Sequence, residues 1–216
     1  MNPKESCMSI AKDIAKDLLQ IKAIKLSPQN PFTWASGIKS PIYCDNRMTL
    51  SYPEIRQKVK NELALLAKTF DGVEAISGVA TAGIAHGALT AEALDLPFTY
   101  VRSKAKAHGR KNTIEGRVVP GQKVVVVEDL ISTGGSSILA VESLREAGLE
   151  VLGVVAIFTY GFDEAIENFK KADCPFKTLS DYSSLIDVAL EQHFISSEEV
   201  EILKSWRKNI NIPHKS

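Results

Sequence analysis

Residues 124–137 read Val-Val-Val-Val-Glu-Asp-Leu-Ile-Ser-Thr-Gly-Gly-Ser-Ser. Four consecutive valines suit a strand covered on both faces, since a β-branched run without polar alternation has no solvent side. The strand, 123–128, is expected to end at Glu128 and Asp129. A small-residue loop then opens a helix, 136–147, with Ile138, Val141 and Leu144 facing inward. Gly148 stands where a helix C-cap belongs, and a second buried run, 151–160, follows it. The same alternation extends in both directions. Upstream come a helix from Pro53 with Ser51 or Tyr52 as cap, running through Val59, Leu63, Leu66 and Ala67 and closed by Asp71–Gly72, then strand 73–79, helix 83–94 and strand 98–101. Downstream come helix 162–172, strand 176–179, a helix capped by Asp181, and a last helix opened by a capping box of Ser196 and Glu199. Strand and helix in alternation around buried strands specify an α/β fold with a mainly parallel central sheet flanked by helices.

Two regions depart from that rhythm. Ile10, Ile14, Leu18 and Ile21 recur at helical spacing between charges, an amphipathic first helix. From Ile24 to Arg47, short apolar pieces are broken by Pro28, Pro31, Ser36–Gly37 and Pro41, which predicts short strands and loops outside the main core. The length of 216 residues fits one domain.

Composition narrows the class. The 26 Lys and Arg cancel 26 Asp and Glu, so no whole-surface footprint for nucleic acid or an anionic membrane is expected. Cys7, Cys44 and Cys174 are far apart with no CxxC pair, which argues for reduced thiols in a cytoplasmic protein rather than a disulfide framework or structural zinc. The longest apolar run, 151–158, is under half of the ~20 residues that a membrane helix needs. Residues 1–16 mix Lys, Glu and Asp with no apolar segment, so no signal peptide is expected.

The loop after Asp129 carries the chemistry. Ligands of open α/β sheets collect at the carboxyl ends of strands. Gly134 and Gly135 let backbone approach a ligand closely, the helix start presents free N–H groups, and Thr133, Ser136 and Ser137 add hydroxyls. Together they suit one phosphate. Adjacent carboxylates would repel that phosphate unless they engage another part of the ligand. A sugar diol or a hydrated magnesium ion satisfies them, and a ribose 5-phosphate unit satisfies both halves. Neither GxxxxGK[ST] nor GxGxxG occurs, so an ATPase or a dinucleotide dehydrogenase is not indicated.

This segment resembles the phosphoribosyl-diphosphate (PRPP) signature of the type I phosphoribosyltransferases. The resemblance implies that Glu128 and Asp129 hold the ribose hydroxyls. It also implies that Thr133, Gly134, Gly135 and Ser136 hold the 5-phosphate, with Leu130, Ile131 and Ser132 among the other PRPP-binding residues. A basic stretch, Arg102 to Lys111, carries Arg102, Lys104, Lys106, Arg110 and Lys111 with His108 and meets no acid until Glu115. Gly109 and Gly116 suit a lid that clamps a polyanion. It is similar to the loop of the orotate phosphoribosyltransferases, with Arg102, Lys106 and His108 at matching positions. Residues 32–43, Phe-Thr-Trp-Ala-Ser-Gly-Ile-Lys-Ser-Pro-Ile-Tyr, resemble their base-binding hood segment, and Gly78 to Gly83 resembles their pyrophosphate-side loop.

The resemblance implies a type I phosphoribosyltransferase fold with a small hood subdomain, formed mainly by about residues 22–48, and C-terminal helices packing on the core. It implies Lys106 and Asp129 as catalytic residues, PRPP contacts from Arg102, Lys106 and His108, and orotate contacts from Ser132, with Lys39 and Tyr43 beside it. Mg²⁺ is implied as cofactor, bound through PRPP and water rather than by the protein, and a homodimer sharing loop 102–116. Departures are Ala35, Thr81–Ala82 and Ser103, where one branch has lysine, Tyr-Lys and lysine, and Ala85, where proline is common; phosphate contacts are not carried onto the first three sites.

Overall fold

A computed structural model describes residues 3–34, 37–103 and 113–210, with side chains from residue 8 onward. The chain runs α1 (Pro3–Gln20), β1 (Ile24–Leu26), β2 (Phe32–Thr33), β3 (Lys39–Ser40) and β4 (Ile42–Cys44), then a 3₁₀ turn (Asn46–Ser51). Next come α2 (Pro53–Ala67), β5 (Ala75–Val79), α3 (Ala82–Leu94), β6 (Phe98–Val101) and β7 (Ile114–Glu115). The remainder is β8 (Lys123–Ile131), α4 (Gly135–Glu146), β9 (Glu150–Thr159), α5 (Asp163–Lys171), β10 (Phe176–Asp181), α6 (Tyr182–Glu191) and α7 (Ser197–Asn209). Two compact units result, Leu50–Leu179, and Met1–Thr49 with Ser180–Ser216.

The larger unit carries the sheet in the order β10-β9-β8-β5-β6-β7. β5 pairs in parallel with β6 and β8, β8 pairs in parallel with β9, and β7 is antiparallel on β6. Val124 to Val127 have no exposed surface, as a strand covered on both faces requires. Each such valine contributes about 1.5–3 kcal/mol. From β5 the chain crosses through α3 to β6 on one side; from β8 it crosses through α4 to β9 on the other. The strand order therefore reverses between β5 and β8, and open α/β sheets bind ligands at such a point.

Three glycines bring α3 onto the sheet there. A Cβ on Gly78 would lie 2.6 Å from the Gly83 carbonyl oxygen, and one on Gly83 would lie 2.5 Å from that of Val127. One on Gly87 would meet the Phe98 ring at 2.8 Å. Any side chain at these positions would push the helix off the strands.

The smaller unit holds two short antiparallel pairs, β1 with β4 and β2 with β3. The Trp206 indole N–H on α7 donates to the Lys39 carbonyl at 3.1 Å, and the Trp34 N–H to that of Ile42 at 3.1 Å. The two indoles meet edge to face at 5.9 Å. Asp181 caps α6 by accepting from the N–H groups of Ser183 and Ser184, and Ser196 with Glu199 forms the expected capping box on α7.

Candidate active site

β8 does not stop at the acid pair. It continues to Ile131, because β9 is long enough to pair Leu130 with Phe158 and Ile131 with Thr159. On its other side, pairing with β5 ends at Gly78 opposite Val127. Glu128 and Asp129 therefore sit where β8 leaves β5 while still bound to β9, at the mouth of the switch-point crevice. The expectation that the strand ends at the acids is corrected by three residues.

The two acids are unequal. Glu128 is 5% exposed and Asp129 half-buried. The Glu128 Oε1 accepts the Asp129 N–H at 3.0 Å; its Oε2 accepts the Ser136 hydroxyl at 3.2 Å and faces that of Ser137 at 3.5 Å. Burial pushes the Glu128 carboxyl well above the usual carboxylate range, and the neighbouring Asp129 charge pushes it further. Ser137, expected to offer its hydroxyl to a ligand, is instead buried and turned to Glu128. It lies one position deeper in α4 than the exposed Ser136.

Between the acids and α4 lie half-buried Leu130, Ser132 and Thr133, buried Ile131 and Gly134, and exposed Gly135. Gly134 caps α4 in the left-handed region, φ +82°, where glycine alone carries no Cβ penalty. A Cβ there would also lie 2.7 Å from the Phe169 ring. The loop is held from behind by three donors. The Thr159 hydroxyl and the Tyr160 N–H reach the Ile131 carbonyl at 3.1 and 3.2 Å, and the Asn168 amide reaches that of Thr133 at 3.1 Å. Sequence reasoning missed Thr159 and Asn168, because no local pattern marks a residue about thirty positions downstream as the partner of a loop carbonyl.

Across the crevice, the segment after β5 turns into α3 at Thr81, with the Ala80 N–H on the Val101 carbonyl at 2.9 Å. Arg102 opens the basic stretch. Its guanidinium pairs with Glu115 at 3.4 Å, both side chains about a third exposed, and its N–H reaches the Thr113 carbonyl at 2.8 Å. Lys104, Lys106, His108, Arg110 and Lys111 lie outside the described residues. In the smaller unit, exposed Lys39 donates to the Thr33 hydroxyl at 2.6 Å, and Tyr43, 42% exposed, meets the Phe32 ring at 5.9 Å.

Among the described residues, no group of three or more His, Cys, Asp and Glu could hold a metal ion, and no helix is long and apolar enough to cross a membrane. Glu128 is buried against the Ser136 and Ser137 hydroxyls, and Asp129 beside it is half-buried. That donor set fits a hydrated magnesium ion carried by a ligand's own oxygens, not an all-protein cage.

Comparison with known proteins agrees with this geometry. A family model of the phosphoribosyl transferase domain matches residues 51–193. The orotate phosphoribosyltransferase of Staphylococcus saprophyticus is 60% identical over 203 residues, 94% of this chain and all of that one. Among solved structures, the UMP synthase of Leishmania donovani superposes with a TM-score of 0.79 at 27% identity, over 93% of this chain and 42% of that one. The orotate phosphoribosyltransferase of Aeropyrum pernix does so with a TM-score of 0.72 at 26% identity, over 85% of this chain and 99% of its own.

Proposed function

The chain belongs to the orotate phosphoribosyltransferase family, and on that premise we propose that it moves the 5-phosphoribosyl group of PRPP onto orotate. The products are orotidine 5-phosphate and pyrophosphate, a step of pyrimidine nucleotide synthesis. The observation that carries the reading is the site at the β5/β8 switch point: an acid pair, then a glycine loop whose carbonyls are tied back by β9 and α5.

The sugar-to-diphosphate bond breaks with positive charge building on the ribose, so catalysis must hold the ribose still and neutralise the leaving group. Asp129 is the accessible acceptor for the ribose hydroxyls, with Glu128 behind it. Thr133 to Ser136 cradle the 5-phosphate at the start of α4, where backbone N–H groups favour an anion, and Leu130 to Ser132 line PRPP beside them. Lys106, with Arg102 and His108, meets the departing diphosphate. Arg102 reaches it by exchanging its pairing with Glu115, an ion pair exposed enough to be worth only about 0–1 kcal/mol. A magnesium ion brought in with PRPP and water would supply further charge neutralisation there. Ser132 contacts orotate, and Lys39 and Tyr43 are the candidates for it in the smaller unit. The enzyme works as a cytoplasmic homodimer sharing loop 102–116; Cys44 and Cys174, reduced rather than disulfide-bonded, suit a reducing compartment.

Spectrophotometry tests the reaction. Orotate absorbance should fall only when PRPP and Mg²⁺ are both present, and purine bases and uracil should stay inert. Consumption of another base in place of orotate would reassign the substrate, and PRPP binding without turnover would indicate a sensor rather than an enzyme.

A further inference from the structure

α5 reaches the phosphate loop with two consecutive residues. Asn168 donates its amide to the Thr133 carbonyl at 3.1 Å, and the Phe169 ring occupies the space a Cβ on Gly134 would need. Only the amide nitrogen of asparagine can face a carbonyl oxygen productively, so the contact fixes which way the side chain points. Asparagine is a weak helix former, and Asn168 is half-buried within α5. Its place there is not explained by helix propensity.

The consequence follows from peptide planarity. The Thr133 carbonyl and the Gly134 N–H belong to one trans peptide unit and point in opposite directions. A carbonyl held toward α5 sets the Gly134 N–H away from α5. The Ile131 carbonyl, held by Thr159 and Tyr160, sets the Ser132 N–H in the same manner. Gly134 has a glycine after it, and such backbone turns over readily. Without its tie, the Thr133–Gly134 peptide could present its oxygen where the donor now stands, and an oxygen facing a phosphate repels it.

We propose that Asn168 is a positioning residue for the 5-phosphate, locking the Thr133–Gly134 peptide with the Gly134 N–H toward the ligand. The inference rests on the phosphoribosyl reading of the loop. The test titrates the full-length wild type, Asn168→Leu (similar volume, no donor) and Asn168→Gln with two ligands that differ only in the phosphate, orotidine 5-phosphate and orotidine. Asn168→Leu should bind orotidine 5-phosphate about tenfold more weakly, with a like rise in the KM for PRPP and orotidine binding unchanged. Asn168→Gln, which keeps the donor, should stay within about threefold of wild type. If Asn168→Leu does not fold, Asn168→Ala read by the same ratio decides. Equal losses on both ligands, or no loss on either, would overturn the positioning role while leaving the loop reading in place. A wild type that does not distinguish the two ligands would overturn the loop reading and this inference with it.

Discussion

At the residue scale, neighbouring acids in one strand have been given opposite surroundings. Successive side chains of a strand point to opposite faces, and Glu128 takes the face closed by the start of α4. The space a Cβ on Gly83 would take lies 3.3 Å from the Glu128 Cα, and the Ser136 and Ser137 hydroxyls stand over its carboxyl. Asp129 is left half-buried at the crevice. Asp129→Asn should weaken PRPP binding by about 10- to 100-fold, the scale of a hydrogen bond to a charged group. The discriminating measurement uses ribose 5-phosphate derivatives lacking one ring hydroxyl. They should lose less affinity for the variant than for wild type, because a carboxylate facing a missing hydroxyl carries the larger penalty. Equal losses in both proteins would show that Asp129 does not read the diol. Glu128 predicts a pH effect instead. Burial and the Asp129 charge raise its folded value above the ordinary 4.5, so the native state holds the proton more tightly than the unfolded chain. Unfolding free energy should therefore fall as pH rises from about 4.5 through the raised value and level off above it. Glu128→Gln keeps the polar contacts and should lack that slope. Denaturant midpoints of the two proteins, measured across pH without substrate, would run parallel if this is mistaken.

At the element scale, the loop from Ser132 to Gly134 lies against α5 and leads into α4. Gly134 ends the loop with φ +82° and abuts Phe169, which is 2% exposed. Gly134→Ala should cost about 2–4 kcal/mol, combining left-handed strain with overpacking. Phe169→Leu in the same chain should recover the overpacking share, so the two changes should cost less together than in sum. Strict additivity in unfolding experiments would show that the ring does not press on the loop. The positions of these elements were legible in the sequence where the pattern is local. The valine run, the Tyr52–Pro53 helix start, the Asp181 cap and the Ser196–Glu199 box all came from neighbours within a few residues. α2 ends at Ala67, the last residue its apolar spacing includes, and the Asp71–Gly72 turn follows after a short irregular stretch. What the sequence did not reveal is long-range. Nothing near Glu128 announces that β9 will carry its strand to Ile131, nor anything near Asn168 that Thr133 will be its partner. The inward turn of Ser137 likewise depends on where Glu128 ends up. Such pairings are properties of the assembled sheet, and local spacing carries no trace of them.

At the scale of the whole molecule, a net charge of zero is compatible with a local cationic stretch, and 102–111 supplies it. The described cation of that stretch, Arg102, stands at its start and meets Glu115 near its end, which brings the two ends of the basic segment together. The 12 residues between such ends have a contour of ~40 Å when extended and so reach ~20 Å out and back, far enough to cross a two-fold interface. Two inactive variants test whether the stretch serves its own site or that of a second copy. Lys106→Ala has a defective loop and a sound pocket, with turnover down by about 10²- to 10³-fold. Asp129→Ala has a defective pocket and a sound loop. If loops act in trans, each mixed dimer has one site combining a sound pocket with a sound borrowed loop. Random reassociation makes roughly half the dimers mixed, so activity should return to roughly a quarter of the wild-type value. If each loop serves its own subunit, every site keeps one defect and mixing recovers nothing. Mass spectrometry of isotope-labelled subunits establishes the exchange independently, and exchanged dimers without recovered activity would reject the shared site.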